Sequence, residues 1–193
     1  MKTTILLCVL GLFAAVTWSC SNSTSTNSTN NEGFESPPYA KGKRVAVQAD
    51  SLIGLAKQIP GFGGLFINQS GQLTIYLTQP EDQKAQARAV LSNSELVAGA
   101  LSNTSASVSD MEVKKGQYTY VQLYEWRHTI TGDVMAIEGV YSAGLDLSRN
   151  KLSFGVKNKA VREKVRVKLA ELNIPEDAVF IYQMSEPEYL IGH

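Results

Sequence analysis

Two stretches of this chain have the same plan: a strand, a turn, an alternating strand, then a helical run. In the first, Leu65-Phe66-Ile67 leads through Asn68–Gly71 into Leu73-Thr74-Ile75-Tyr76-Leu77. Alternation puts every second side chain on one face of a strand, and the polar, Gly-containing gap reads as a hairpin turn. Pro80-Glu81-Asp82 then opens a helix, with acidic groups placed favourably against its dipole. Ala85, Ala89 and Val90 are expected to form the inner face of that helix. In the second stretch, Val140–Leu147 and Leu152–Val156 flank Ser148-Arg149-Asn150. A helix over Lys159–Leu172 follows, with Val161, Val165, Leu169 and Leu172 inward, stopped by Asn173 and Pro175. Leu73, Ile75 and Leu77 match Leu152, Phe154 and Val156, and each unit ends in a further strand, near Val113 and near Phe180. The fold class this predicts is α+β, made of two related ββαβ units, at about 50–115 and 116–185, with helices packed on antiparallel sheet.

Other segments fit around these units. Asp50 or Ser51 caps a short helix, Leu52–Gln58, which Pro60 ends. Ser94 opens a second short helix. Residues 118–131 carry Tyr120, Leu123, Trp126 and Ile130 at helical spacing, which predicts an amphipathic helix.

Charge and cysteine content narrow the function classes. The chain holds 18 basic and 18 acidic side chains. That balance speaks against a dedicated nucleic-acid binder, which carries a basic excess. The two cysteines are Cys8 and Cys20. Both precede the folded segment, so no internal disulfide, cysteine-ligated metal or cysteine nucleophile is expected there.

The first residues read as an address. Lys2 precedes a nearly unbroken apolar run from Ile5 to Val16, too short for the roughly 20 residues that cross a bilayer but matched to the core of a secretory signal. Thr17-Trp18-Ser19-Cys20 resembles the lipobox of bacterial lipoproteins, in which a small residue precedes a cysteine that is diacylated and becomes the mature N-terminus. Thr17 and Trp18 depart from that pattern, and plain signal-peptidase cleavage near Ser21 is the alternative. The lipobox reading implies a signal peptide at 1–19, lipidation at Cys20 and membrane attachment through the lipid. Because Ser21 is not Asp, it also implies transport to the outer membrane in a Gram-negative cell. Residues 20–38 begin with a wholly polar Ser/Thr/Asn run that cannot bury enough surface to order itself, so they are expected to form a disordered tether to an α+β domain at 39–193.

Residues 145–156, Leu-Asp-Leu-Ser-Arg-Asn-Lys-Leu-Ser-Phe-Gly-Val, resemble the pro-regions of secreted bacterial chymotrypsin-like proteases of the streptogrisin and α-lytic type. Gly61-Phe62-Gly63-Gly64-Leu65-Phe66 and Gln122-Leu123-Tyr124-Glu125-Trp126-Arg127 are similar to segments of exported proteins carrying such modules. The resemblance implies a module that assists or occludes a protease. The family's nucleophile segment, Gly-Asp-Ser-Gly, does not occur here, so protease activity is not carried over.

No catalytic constellation stands out. Glu125 and His128 are spaced i, i+3, and with Arg127 they form the one weak candidate surface site. The only other histidine is His193, and no metal ligand set or cofactor is expected. Gly61–Gly64 reads as a tight turn rather than a phosphate loop, since a strand follows it. Lys157, Lys159, Arg162, Lys164, Arg166 and Lys168 form a local basic excess. Their stems suit covering core edges, with anionic headgroups the sharper alternative. The functional expectation is a non-enzymatic exported lipoprotein that binds or restrains a protein partner such as a secreted protease. The alternatives are a hydrolase using Glu125, Arg127 and His128, or a structural envelope component.

Overall fold

A computed structural model describes residues 42–45 and 49–187, together with Phe34 and Pro37. The signal, Cys20 and nearly all of the tether lie outside the described residues. Thirteen elements follow one another: β1 (Gly42–Arg44), α1 (Ala49–Gln58), β2 (Phe62–Asn68), β3 (Leu73–Leu77), α2 (Pro80–Ser92), α3 (Glu95–Leu101), β4 (Glu112–Lys115), α4 (Tyr120–Met135), β5 (Val140–Asp146), β6 (Lys151–Val156), α5 (Lys159–Glu171), a 3₁₀ turn (Glu176–Ala178) and β7 (Val179–Gln183). One sheet has the order β1-β2-β3-β4 and the other β5-β6-β7.

The class is α+β with two ββαβ units. In each, a hairpin pairs antiparallel and the strand after the helix pairs parallel, so both sheets are mixed. Parallel pairing follows from the crossover helix, which returns the chain to the starting end of the sheet. Leu73, Ile75 and Leu77 are buried, as are Leu152, Phe154 and Val156. The registers correspond, with Ile75 beside Leu65 and Val113, and Phe154 beside Ala143 and Ile181. Each hairpin also carries an irregularity at its entry, between Phe62 and Gly64 and between Val140 and Ser142.

Small features repeat as well. Asn68 Oδ1 accepts from the backbone N–H and hydroxyl of Ser70, and Asp146 Oδ1 accepts from those of Ser148. Thr78 N–H donates to Gly61 O at 3.0 Å, and Lys157 N–H to Gly139 O at 2.8 Å. Both glycines have positive φ, 66° and 88°. The preceding helices correspond too: Phe62 N–H donates to Ile59 O, and Val140 N–H to Ile137 O. The repeating unit is therefore αββαβ, one helix longer at its start than the strand pattern alone predicts.

Expectation and structure part at α2. Gln83, Ala87 and Leu91 are its buried residues, while Ala85 and Ala89 are exposed and Val90 is half-buried. Gln83 turns inward because its Oε1 accepts from the Gln79 N–H at 3.0 Å, satisfying a helix-start donor. In α5 the inner residues are Val161, Val165 and Leu169, with Leu172 half-buried against the core, in line with the sequence.

One hydrophobic cluster runs through both units, and a polar latch ties the β5–β6 turn to the first unit, at Gly63 and Tyr76, and to the Gln117-Tyr118 segment that opens the second. Asn150, at φ 56° in the β5–β6 turn, is 3% exposed. Its Oδ1 accepts from the N–H groups of Gln117 and Tyr118, both at 2.9 Å, and its Nδ2 donates to Gly63 O and Tyr118 O, both at 2.8 Å. A carboxamide has two acceptor lone pairs and two donors, so this one is saturated. Tyr76 Oη adds a bond to Ser148 O at 3.0 Å. Gly63 leaves the needed space, since a Cβ there would sit 2.9 Å from both Asn150 Nδ2 and Tyr118 O.

Candidate functional site

The three residues singled out on α4 are not joined to one another. Glu125 and His128 are exposed and Arg127 is half-buried. His128 stacks on Tyr124, with ring centroids 6.5 Å apart and planes at 4°. Among the described residues no hydrogen bond or ion pair connects Glu125, Arg127 and His128, and no group of three or more His, Cys, Asp or Glu is placed to hold a metal. Trp126, expected within the apolar stripe, lies at its margin: half-buried, edge-on to Tyr118 at 5.3 Å. The fully buried stripe of α4 is Tyr120, Leu123, Ile130 and Val134. Of Gly61–Gly64 only Gly61 stands in a turn; Phe62, Gly63 and Gly64 open β2 at its irregularity, correcting the expectation of a tight turn over all four, and Gly61 O and Gly63 O are both engaged within the fold.

Close to the latch, Tyr118 Oη donates to Asp177 Oδ1 at 2.5 Å, and Gln117 Nε2 donates to the other carboxylate oxygen. Burial, with the bond and charge of Asp177 added, pushes the Tyr118 phenol up to about 12. The unfolded phenol titrates near 10. Because the folded value is the higher one, this pair's contribution to stability is complete below pH 10 and is lost as pH rises through 12. Burial raises the Tyr76 phenol as well, so a tyrosinate absorbance titration should show late-ionising phenols, and Tyr118→Phe should reduce that late component by one tyrosine. Ionisation of every tyrosine near pH 10 in the folded protein would contradict the pairing.

Three of the six basic residues in the stretch at α5 meet a carboxylate. Arg162 meets Glu163 at 3.1 Å, Arg166 meets Glu163 at 3.5 Å and Glu176 at 3.6 Å, and Lys168 meets Glu171 at 2.6 Å. Exposed pairs of this kind contribute little stability, and Lys159, Arg162, Lys164, Arg166 and Lys168 against Glu163 and Glu171 leave α5 basic on balance.

Between α5 and β7 lies an open cleft of about 480 Å³, lined by Arg166, Val167, Ala170, Ile174, Val179 and Ile181, among others. Val167 is 61% exposed at its lip. Arg162, also on the lining, carries the ring of Phe34 at 4.9 Å. The other unit differs here. Matching buried positions, Leu91 with Leu169 and Ala87 with Val165, makes Arg88 the counterpart of Arg166, and the strand registers make Met111 the counterpart of Val179. In the first unit the long connection 93–111 covers this flank: Val97, Leu101 and Met111 are buried, and Arg88 donates to Ser109 O at 2.9 Å and Met111 O at 3.4 Å. In the second, the connection is only 172–178, Val179 is half-exposed, and among the described residues outside α5–β7 only Phe34, over Arg162, stands against the flank. The edge strands differ in the same sense. β4 carries Glu112, Lys114 and Lys115, whereas β7 reads Val-Phe-Ile-Tyr-Gln with no charge and no proline. Edges without such blocks favour pairing with other chains. No motif marks this cleft, because it arises from a shorter connection.

No described helix is long and apolar enough to cross a membrane. Compared with known proteins, the chain matches no protein-family model and shows no significant similarity to any curated protein, so its functional reading rests on the open α5–β7 flank and on the sequence.

Proposed function

We propose that this chain is an exported, lipid-anchored protein without catalytic chemistry of its own, whose α+β domain binds and restrains a protein partner. The partner class indicated by the resemblance at residues 145–156 is a secreted chymotrypsin-like protease. The observation that carries the reading is the uncovered α5–β7 flank, where an apolar cleft adjoins an uncharged strand edge. Apolar surface of this kind on an otherwise covered fold is characteristic of interaction sites. Anchorage at Cys20 through a Ser/Thr/Asn tether places such a domain at a membrane surface with freedom to reach a partner.

Two measurements test the proposal. Purified mature domain, titrated against a panel of secreted chymotrypsin-like proteases, should inhibit at least one or raise its refolding yield; no effect across the panel removes the protease reading. Expression in a Gram-negative host with labelled palmitate should label the wild type and send it into the detergent phase, because two or three acyl chains hold where one is marginal. Cys20→Ser should abolish both. A wild type without label, in the aqueous phase and with another mature terminus, would replace anchoring with plain secretion.

A further inference from the structure

The two units serve as references for each other. The fold packs α3 on α2 and runs the connection after it, through Ser109 and Met111, along the flank formed by α2 and β4, whereas against α5 and β7 the described chain places only Phe34, over Arg162 at the cleft's side. What the first unit uses there is known in detail. It is a short helix, Glu95–Leu101, capped by Ser94, whose inward residues Val97 and Leu101 are four positions apart. That spacing stacks two side chains on one helix face. Both are buried in the core cluster that contains Leu91 and Met111. Their counterparts in the second unit, Leu169 and Val179, line the open cleft.

We propose that the α5–β7 cleft receives a short amphipathic helix of a partner protein, presenting two apolar side chains at i and i+4 as α3 does. This rests on the reading that the flank is a docking surface, and it names what docks. The volume of about 480 Å³ lies within the range of pre-formed binding sites. The rim arginines are shared with Glu163 and Glu176, so recognition rests on apolar contact, and a helix of low net charge fits. In α3 itself the only charged residue is Glu95. Helix-in-groove recognition reads such i, i+4 anchors. The competing occupant is an extended segment pairing with the β7 edge, which would engage backbone groups of Val179–Gln183 instead.

The test uses the isotope-labelled mature chain and three synthetic peptides. The first is a helix-stapled copy of residues 93–102. The second is the same peptide with Val97→Ser and Leu101→Ser. The third is an unstapled copy of residues 179–183 with its flanks. The first should shift the signals of Val167, Ala170, Ile174 and Ile181 saturably, and the second should bind at least tenfold more weakly. Val167→Glu in the chain should weaken the first peptide at least tenfold without changing the melting temperature, because that side chain is on the surface. Equal binding of the first two peptides overturns the proposal, as does binding that maps to Leu91 and Met111 or no saturable shift at all. If only the third peptide binds, at the β7 amides, the helix is wrong and the flank remains a docking surface. If the stapled helix binds but no protease responds, the helix proposal stands and the protease reading falls.

Discussion

Asn150→Ala should lower the unfolding free energy by about 4 kcal/mol, measured by chemical denaturation. The substitution leaves two N–H groups and two carbonyl acceptances, at Gln117, Tyr118 and Gly63, without their partner. Each buried group so orphaned costs about 1–3 kcal/mol, less where water enters. The backbone adds to this, since φ is 56° and alanine pays roughly 1 kcal/mol there that glycine does not. Asn150→Gly should therefore be the milder variant by about 1 kcal/mol. Asn150→Asp keeps both acceptors but turns a carboxylate oxygen toward Gly63 O and Tyr118 O, and should be as damaging as alanine. A loss below about 1 kcal/mol for Asn150→Ala would mean that the latch does not hold the units.

Phe154→Ala should cost about 4 kcal/mol and Ile75→Ala about 3 kcal/mol, the range for emptying a packed core site. Phe154 is 1% exposed and Ile75 fully buried, each on an inner strand of its sheet. The two changes sit in different units, yet each should shift one common transition, because a single hydrophobic cluster spans both. Calorimetric and van't Hoff enthalpies should agree in both variants. Two separate transitions in either would show that the units fold independently and that the shared cluster does not couple them.

Much of this architecture was legible from residue pattern. Leu73, Ile75 and Leu77 against Leu152, Phe154 and Val156 predicted the paired units because alternation of apolar side chains is a local property of strands, although burial itself does not alternate and Thr74 and Ser153 are buried as well. The helix over Lys159–Leu172 was legible for the same reason, its apolar residues falling at helical spacing. The inner face of α2 was not, because a glutamine stands at its first buried turn and its role there depends on a contact with Gln79 that hydrophobicity does not encode. The helices that became α1 and α4 were legible and fell inside the unit bounds, but not as equivalents, since their correspondence lies in backbone bonds at Ile59 and Ile137 rather than in similar side chains. Asn150 read simply as a turn residue; its partners stand 32 to 87 positions away in sequence. Glu125, Arg127 and His128 stood out only as chemistry-capable side chains close together in sequence, and helical geometry sends them to different surroundings.

The latch has a direction. The turn of the second unit reaches into the first, and the residues that make the contact have no counterparts at the outer ends. Gly71, also at positive φ, stands where the second turn has Asn150, and so offers no carboxamide. Gly155 stands where the first unit has Tyr76, and its N–H is already taken by Ser142 Oγ, which also meets Tyr182 Oη at 2.7 Å. A third unit added at either end would find neither the plug nor the socket. Stacked-repeat proteins grow because each interface resembles the last; among the described residues Gly71 and Gly155 stand in the places of Asn150 and Tyr76, so the joint between these two units is not one that repeats.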